Sequence, residues 1–328
     1  MQCVNLSGSN EQMPIVGLGT WQATPEEIEN IIDIALESGY RHIDTAFVYN
    51  NEEAIGNALK RWIEGGKIKR EELFVTTKLP VFGNRAADVE NFLRISLNRL
   101  KLTYVDLYLI HLPFALFCDK EILQPAKNED GSVIIDFEND NLATWKVMEE
   151  QVRKGLVKAI GLSNFNENQV KEIYDLAAIK PAVLQIEMHA YLQQPNIVEV
   201  CNKLNIAITA YSPLGSPGAQ RHFLTKYDYK IEDFPDLLHD PLILTLSDKY
   251  KKSVGQILLK HLAQKGIIVI PKSSNPQRIK DNIDVFGFML EDEDIAKIDK
   301  LDKGEKGRIF NFLFFKDVDK HPQYPFKY

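Results

Sequence analysis

The sequence has few cysteines, and their spacing fits neither a disulfide framework nor a metal site. Cys3, Cys118 and Cys201 are far apart and odd in number, and none belongs to a CxxC pair. The seven histidines contain no HExxH pattern. These absences argue against a disulfide-stabilised secreted domain and against the common zinc motifs. We therefore expect a protein from a reducing compartment that carries no metal.

Long apolar runs and an excess of basic residues are also absent. No stretch reaches the roughly 18 apolar residues that a membrane-spanning helix needs. The first residues lack the basic segment and apolar run of a secretory signal. The net charge of −7 disfavours a surface for nucleic acid or anionic membranes, although it leaves room for a small basic pocket. We expect a cytoplasmic monomer that binds neither nucleic acid nor membranes.

What the chain does contain is a regular alternation of strand and helix patterns. With 328 residues and 45% hydrophobic content it can bury a large core. Strands are predicted near residues 15 and 40 and at 73–79, 105–111, 157–162, 182–188, 206–211 and 267–270, each followed by a helical pattern. Eight even units favour a closed (β/α)₈ TIM barrel over an open doubly wound sheet, which usually has five or six strands and a glycine-rich first turn.

The remaining segments predict how this barrel is completed. Residues 2–6 and 13–16 flank a turn-rich tetrapeptide, so we expect an N-terminal β-hairpin. No linker composition interrupts residues 1–328, which we therefore expect to form one domain. The segments 112–140 and 213–239 and the tail after Leu301, about 302–328, are too long for simple connections. We expect all three on the carboxyl face, as walls of a pocket.

Four polar residues are predicted at the carboxyl ends of neighbouring strands. Asp44 and Tyr49 follow the strand near residue 40, Lys78 ends the next strand and His111 the one after. An adjacent ammonium favours phenolate, so Lys78 is expected to lower the pKa of Tyr49 and make it a better acid. Asp44 would hold the lysine charge, and His111 would orient a carbonyl oxygen beside the phenol.

Each of these residues also has a structural interpretation. A single Asp or His at a strand end is commonly a satisfied hydrogen-bonding residue, and only the four together favour a site. A hydrolase built around Asp44 is a further alternative, but no second carboxylate or metal set accompanies it. His42 is expected to be structural, and the role of His189 stays open.

A second cluster lies where the last strand meets the following helix. Lys272, Ser273, Ser274 and Arg278 surround Asn275, which is predicted as the helix N-cap. Backbone N–H groups and two cationic side chains there would bind an anion. The alternative is an ordinary capped helix with solvated basic residues.

These motifs together resemble the aldo-keto reductase family over nearly the whole chain. The resemblance is carried by Gly17-Leu18-Gly19-Thr20-Trp21, the Asp44 and Tyr49 segment, Lys78, His111, Gly161-Leu162-Ser163-Asn164-Phe165, Gln185-Ile186-Glu187, Tyr211-Ser212-Pro213-Leu214-Gly215 and Ile270-Pro271-Lys272-Ser273. It implies a (β/α)₈ barrel that reduces carbonyls with NADPH, in which Asp44, Tyr49, Lys78 and His111 form the catalytic tetrad.

The resemblance also implies a cofactor site. Ser163, Asn164 and Gln185 would hold the nicotinamide carboxamide, and Tyr211 would stack on its ring. The other residues implied to contact NADPH are Gly19, Thr20, Trp21 and Asp44 in the first loops, Ser212, Leu214 and Ser216 along the pyrophosphate, and Lys272, Ser273, Ser274, Arg278 and Asn282 around the adenosine end with its 2′-phosphate.

The substrate end departs from the well-known aldose-reducing members, and its tail resembles arthropod members, some of which reduce ecdysteroid ketones. Pro80 and Leu112 stand where those aldose-reducing members carry tryptophans, and residues 310–315 are rich in phenylalanine. The expected substrate contacts are Trp21, Phe47, Tyr49, Pro80, His111, Leu112 and Phe310. A substrate pocket lined by these residues favours apolar carbonyl compounds, with ecdysteroid-like ketones among the candidates.

Two alternatives stay open at the level of the sequence. The aromatic tail is also compatible with core packing or with an interface. The whole protein is also compatible with a barrel that has lost turnover and serves as a binding or structural subunit. The intact set of four polar residues argues against that second alternative.

Overall fold

The computed structural model describes residues 2–227 and 229–326. Its strands, in chain order, are β1 (Cys3–Asn5), β2 (Gln12–Pro14), β3 (Leu18–Gly19), β4 (His42–Asp44), β5 (Phe74–Leu79), β6 (Val105–Ile110), β7 (Ala115–Leu116), β8 (Cys118–Asp119), β9 (Gln124–Pro125), β10 (Ile135–Asp136), β11 (Val157–Ser163), β12 (Val183–Glu187), β13 (Ala207–Tyr211) and β14 (Ile268–Val269). Eight of them, β3 to β6 and β11 to β14, form one parallel sheet.

This sheet closes on itself. Its strand order runs from β14 through β13, β12, β11, β6, β5 and β4 to β3. Val16, just before β3, forms a parallel bridge with Val269 of β14. The N–H groups of Gly17 and Gly19 donate to the carbonyl oxygens of Val269 (2.9 Å) and Pro271 (3.1 Å) across the same seam. The predicted (β/α)₈ barrel is confirmed.

Helices cover the outside of the barrel. They are α1 (Pro25–Glu37), α2 (Glu52–Glu64), α3 (Val89–Leu100), α4 (Asn141–Arg153), α5 (Glu167–Leu176), α6 (Pro195–Leu204), α7 (Gln220–Lys226), α8 (Pro241–Tyr250), α9 (Val254–Gln264), α10 (Pro276–Ile283) and α11 (Asp292–Asp299). The first begins at a capping box, in which Thr24 and Glu27 each accept a backbone N–H of the other. Its apolar face, with Ile28, Ile31, Ile32, Ala35 and Leu36, is buried.

The N-terminal hairpin lies at the amino end of the barrel, opposite the predicted site. Strands β1 and β2 pair antiparallel, with Cys3 opposite Pro14. His42, the first residue of β4, lies with its Nδ1 3.2 Å from the carbonyl oxygen of Pro14. Burial lowers the pKa of His42 to about 4, so the ring is neutral at neutral pH. Its contacts agree with a structural role.

The three long segments lie at the carboxyl ends of the strands, as expected. Residues 112–140 contain two short antiparallel pairs, β7 with β10 and β8 with β9. Residues 213–239 contain α7, and the tail contains 3₁₀ turns at Gly304–Gly307 and Val318–Lys320. Among the described residues no helix is long and apolar enough to cross a membrane.

Candidate active site

One cavity of about 1270 Å³ opens at the carboxyl end of the barrel, walled by strand ends and by the three long segments. Most of the predicted site residues line it. They are Gly19, Thr20, Trp21, Asp44, Phe47, Tyr49, His111, Leu112, Ser163, Asn164, Gln185, Tyr211, Ser212, Leu214, Ser216, Lys272, Ser273, Ser274, Arg278, Asn282 and Phe310. Residues from opposite ends of the sequence therefore share one concave surface.

Two predicted residues lie off this surface. Lys78 is fully buried behind Asp44 and Tyr49, where it contacts both. Pro80 is not among the residues that line the cavity, and its expected substrate contact stays a prediction. Strand β5 ends at Leu79 and the chain turns at once into a 3₁₀ turn, Val81–Gly83. Val81 and Phe82 line the cavity in place of the proline.

The floor of the cavity holds a buried ion pair. Strands β4 and β5 pair with Asp44 opposite Thr76, and Lys78 lies two residues further along, on the same face as Thr76. The Lys78 Nζ donates to Asp44 Oδ1 at 2.5 Å and to the carbonyl oxygen of Thr45 at 2.9 Å. Burial disfavours the ammonium, but Asp44 and Tyr49 outweigh it and raise the pKa of Lys78. The lysine is therefore charged at neutral pH.

The phenol of Tyr49 lies beside this pair and is partly exposed to the cavity. The Lys78 Nζ is 3.5 Å from the Tyr49 Oη. Burial raises the pKa of Tyr49, and the opposing effect of the Lys78 charge is smaller. The expectation of a lowered pKa is therefore wrong in its net direction, because it counted the neighbouring charge without the desolvation. The phenol keeps its proton at neutral pH, as a proton donor must.

His111 completes the group of four. Its ring lies 5.9 Å from that of Tyr49, centre to centre, and nearly perpendicular to it. Burial, with a smaller contribution from the Lys78 charge, holds the pKa of His111 well below its ordinary value. A neutral imidazole can donate a hydrogen bond from one nitrogen without bringing a second positive charge to the site.

Side-chain amides connect this floor to the next strands around the barrel. Gln185, in the middle of β12, donates to Asp44 Oδ2 at 2.7 Å. Asn164, just after β11, donates to the His111 carbonyl oxygen at 3.0 Å and accepts from the Tyr211 hydroxyl at 2.7 Å. Strands β4, β11, β12 and β13 thus supply two sets of polar contacts beside the phenol.

The basic cluster lies at the start of α10, as predicted. Asn275 caps the helix by accepting the N–H of Arg278 at 3.0 Å. The Ser273 hydroxyl accepts from the Asn275 N–H at 3.1 Å and from the Arg278 Nε at 3.4 Å. Lys272 has an ion pair with Glu27 at 3.7 Å. Both cations are exposed, and this end of the cavity can accept an anion.

Aromatic side chains form the opposite end of the cavity. Phe310 packs against Trp21 and Phe223, with ring centres 5.4 and 5.5 Å apart. Phe314 stacks on Tyr227 at 4.5 Å. The tail aromatics are therefore largely buried, and they serve both as packing and as cavity wall.

Sequence analysis missed the contribution of α7 to this wall. His222, Phe223 and Tyr227 line the cavity beside Trp21. The unusual length of residues 213–239 indicated a wall, but no strand end or family motif marked these three residues. Their helical spacing in an aromatic stretch was the available signal.

Comparisons with known proteins agree with this geometry. The sequence profile described as "Aldo/keto reductase family" matches residues 15–303. Aldo-keto reductase family 1 member A1 of Gallus gallus is 44% identical over 324 residues, 97% of this chain and 95% of the relative. The Homo sapiens protein of the same name is 42% identical over 330 residues, 99% and 98% of the two chains. The structure of the aldose reductase from Schistosoma japonicum superimposes with a TM-score of 0.88 at 36% identity, covering 100% of this chain and 99% of that one.

Proposed function

Because the chain belongs to the aldo/keto reductase family, we propose that it reduces aldehydes and ketones to alcohols with NADPH, and that Tyr49 donates the proton. The observation that carries the proposal is the meeting of Tyr49, His111 and the Asp44–Lys78 pair on the floor of one cavity. That cavity exceeds the roughly 300–1,000 Å³ of an ordinary small-molecule site, so it has room for a dinucleotide and a carbonyl compound together.

The side chains present fit NADPH. Asn164 and Gln185 offer amide groups near the floor, Tyr211 offers an aromatic face, and Lys272 and Arg278 offer positive charge at the far end. The Gln22 Nε2, at the same cavity, is buried and has no hydrogen-bond partner among the described residues. When bound, NADPH would supply the hydride. The basic cluster would hold its 2′-phosphate, and the amides and Tyr211 would orient its nicotinamide.

The chain's own residues would perform the proton transfer. His111 and Tyr49 would both donate hydrogen bonds to the substrate oxygen and hold its carbonyl carbon at the floor. Tyr49 would pass its proton to that oxygen as negative charge develops on it. The phenolate left behind would be stabilised by the Lys78 ammonium, which Asp44 holds in place. Lys78 thus assists the product state even though burial keeps the free phenol protonated.

The aromatic end favours bulky apolar carbonyls over sugars, with ecdysteroid-like ketones among the candidates. Each buried CH₂ of a substrate contributes about 0.8 kcal/mol, whereas a hydrogen bond contributes about 1 kcal/mol net. Sugar hydroxyls would lose water at a wall made largely of Trp21, Phe223 and Phe310. Several buried methylenes therefore outweigh one lost hydrogen bond.

The test is replacement of Tyr49 by Phe, with Tyr108→Phe as the matched control. We expect Tyr49→Phe to bind NADPH normally and to lose about 10²–10⁴-fold in reduction of 4-nitrobenzaldehyde, as is typical of a lost general acid. Tyr108 is a buried barrel tyrosine outside the cavity lining, and no partner for its hydroxyl lies within the described residues. Its variant should keep full turnover.

Two outcomes would contradict the proposal. Near-normal turnover by Tyr49→Phe would exclude Tyr49 as the acid. Failure of the unaltered protein to oxidise NADPH with any reactive aldehyde would favour the non-catalytic barrel instead. We do not favour that alternative, because the Asp44–Lys78 pair, the phenol and the imidazole are all in place.

A further inference from the structure

Glu187 is a buried carboxylate that the proposed chemistry does not use. It is the last residue of β12, and its side chain is 0% exposed. The N–H of Ile309 donates to its two oxygens at 2.9 and 3.2 Å, and the N–H of Phe310 donates to Oε2 at 2.9 Å. A strand of the barrel thus holds the backbone of the tail from 122 residues away along the chain.

The turn that follows β12 supports the same contact. The His189 Nε2 is 3.2 Å from Glu187 Oε1, and the His189 side chain is also 0% exposed. The tail presses against this turn, since a Cβ on Gly307 would lie 2.2 Å from the Tyr191 carbonyl oxygen. The N–H of Lys303 donates to that same oxygen at 2.9 Å. Both oxygens of Glu187 therefore accept hydrogen bonds. The contacts of Lys303 and Gly307 with Tyr191 fix the position of the first residues of the tail.

Phe310 connects the Glu187 hydrogen bonds to the cavity, because its N–H is bound by Glu187 and its ring forms part of the cavity wall. Its ring packs against Trp21 at 5.4 Å and against Tyr211 at 5.5 Å, and it lines the aromatic end. Because an amide nitrogen is bonded directly to its own Cα, holding the N–H groups of Ile309 and Phe310 determines where the Phe310 ring can reach. Other tail contacts, such as the Tyr324 hydroxyl on the Asn311 carbonyl oxygen, hold only the flanking chain.

We propose that Glu187 is a positioning residue that sets substrate selectivity by holding the backbone of Ile309 and Phe310, so that the Phe310 ring closes the aromatic end against Trp21. Glu187 touches neither substrate nor cofactor and acts through Phe310. Its selectivity effect rests on the carbonyl-reductase function proposed above, whereas its hold on the tail does not.

The first test is Glu187→Gln, which keeps the shape of the side chain but turns an NH₂ group toward the tail N–H donors. We expect the KM for a bulky ketone such as 2-decalone to rise about tenfold or more, as the loss of hydrogen bonds to a charged group implies. The kcat/KM for glyceraldehyde and the affinity for NADPH should change much less, because glyceraldehyde is too small to cover the aromatic end and the basic cluster of the cofactor site lies away from Phe310.

The matched control is Glu149→Gln. Glu149 is another buried carboxylate, and its Oε1 accepts the N–H groups of Ala178 (2.7 Å) and Ile179 (3.0 Å). It lies outside the cavity lining. The Glu149→Gln protein should lose stability to a similar extent as the Glu187→Gln protein. The ratio of its KM for 2-decalone to its KM for glyceraldehyde should stay unchanged. An equal shift of that ratio in both variants would overturn the proposal.

A double-mutant cycle separates positioning from general damage. If Glu187 acts through Phe310, Glu187→Gln should add nothing to the KM for 2-decalone once Phe310→Ala is present. Additive effects would overturn the proposal. Gly307→Ala leaves Glu187 in place and forces the tail away from Tyr191, so it should reproduce the same selectivity change and serves if Glu187→Gln does not fold.

Hydrogen exchange measures the anchor without any activity. Amides of the 308–315 segment should exchange faster in Glu187→Gln than in the unaltered protein, while the amides of β5 and β6 should not. Unchanged exchange in that segment would overturn the anchoring. If no carbonyl is reduced at all, the proposed function fails and this measurement still decides the role of Glu187.

Discussion

At the scale of single residues, the buried ion pair of Lys78 and Asp44 is hard to explain by stability alone. Both charges have left water, and attraction inside a protein repays that cost only with excellent geometry. Replacing such a pair by apolar residues is often neutral or stabilising. The Lys78 Nζ also lies 3.5 Å from the Tyr49 Oη, which is where charge would develop when the phenol loses its proton. A chemical role accounts for the pair better than a structural one.

The basic residues at α10 provide the prediction at this scale. Lys272→Ala combined with Arg278→Ala should weaken NADPH by about tenfold to a hundredfold per lost phosphate contact, as charged hydrogen bonds imply, and should weaken NADH far less. The reason is that only NADPH carries a 2′-phosphate. Fluorescence titration of both cofactors measures the effect.

Lys280→Ala is the control for this double variant. Lys280 is exposed on the same helix but does not line the cavity. Its variant should bind both cofactors normally. Equal losses for NADPH and NADH in the double variant would show that this cluster does not hold the 2′-phosphate.

At the scale of elements, the tail and the segment around α7 form one wall. The Tyr229 hydroxyl donates to Asn311 Oδ1 at 3.0 Å, and Phe314 stacks on Tyr227. The far end of the tail is tied to α5, where Gln169 Nε2 donates to the Gln323 carbonyl oxygen at 2.9 Å. The wall therefore depends on contacts among elements that are all loops or short helices, the regions that diverge most readily in proteins.

Removal of the tail after Gly307 should raise the KM for apolar carbonyls much more than for glyceraldehyde. The truncation deletes Phe310, Phe312, Phe314 and Phe315, which all line the cavity, and with them aromatic area that an apolar substrate would cover. It also leaves Glu187 without its two backbone donors, so some loss of stability should accompany the change. Values of kcat/KM across sugars, aromatic aldehydes and ketosteroids measure the selectivity.

A shorter truncation after Lys316 is the control, because it keeps the aromatic residues up to Phe315. This shorter truncation should raise the KM for apolar carbonyls less than the truncation after Gly307 does. If both truncations affected all substrates alike, or if glucose were the best substrate of the full chain, the apolar wall would not be what selects the substrate.

At the scale of the whole molecule, the cavity exists because the barrel closes at one seam. Gly19 lies on that seam, and a Cβ there would be 2.5 Å from the Ile270 carbonyl oxygen. The glycine therefore allows β3 to approach the end of β14, which brings the first loop to the basic cluster.

Gly19→Ala should consequently destabilise the protein by about 1–3 kcal/mol, the usual effect of overpacking against atoms that cannot move aside, and should weaken NADPH. Gly287→Ala is the control, since the nearest atom to its added Cβ is Asp284 Oδ1 at 3.9 Å. Urea denaturation and cofactor titration measure the two effects. A Gly19→Ala protein as stable as Gly287→Ala would show that the seam has more room than the structure indicates.

Local chemistry by itself determined the architecture and much of the site. Strand and helix periods predicted eight β/α units, and Asn275 was predicted as the N-cap of the helix that is α10. Asp44, Tyr49, Lys78 and His111 could be found because the carboxyl ends of parallel barrel strands meet at one face. These signals need only neighbouring residues and one rule about parallel sheets.

Tertiary structure decided what depends on burial and on contacts between distant residues. The pKa of Tyr49 is raised because desolvation outweighs the Lys78 charge, and the depth of burial cannot be read from residue types. Val81 and Phe82 line the cavity because of a turn after β5 that the strand pattern does not show. Glu187 holds Ile309 and Phe310 because folding brings together residues 122 and 123 positions apart. Sequence patterns act over a few residues, whereas desolvation and such hydrogen bonds exist only once the chain has closed on itself.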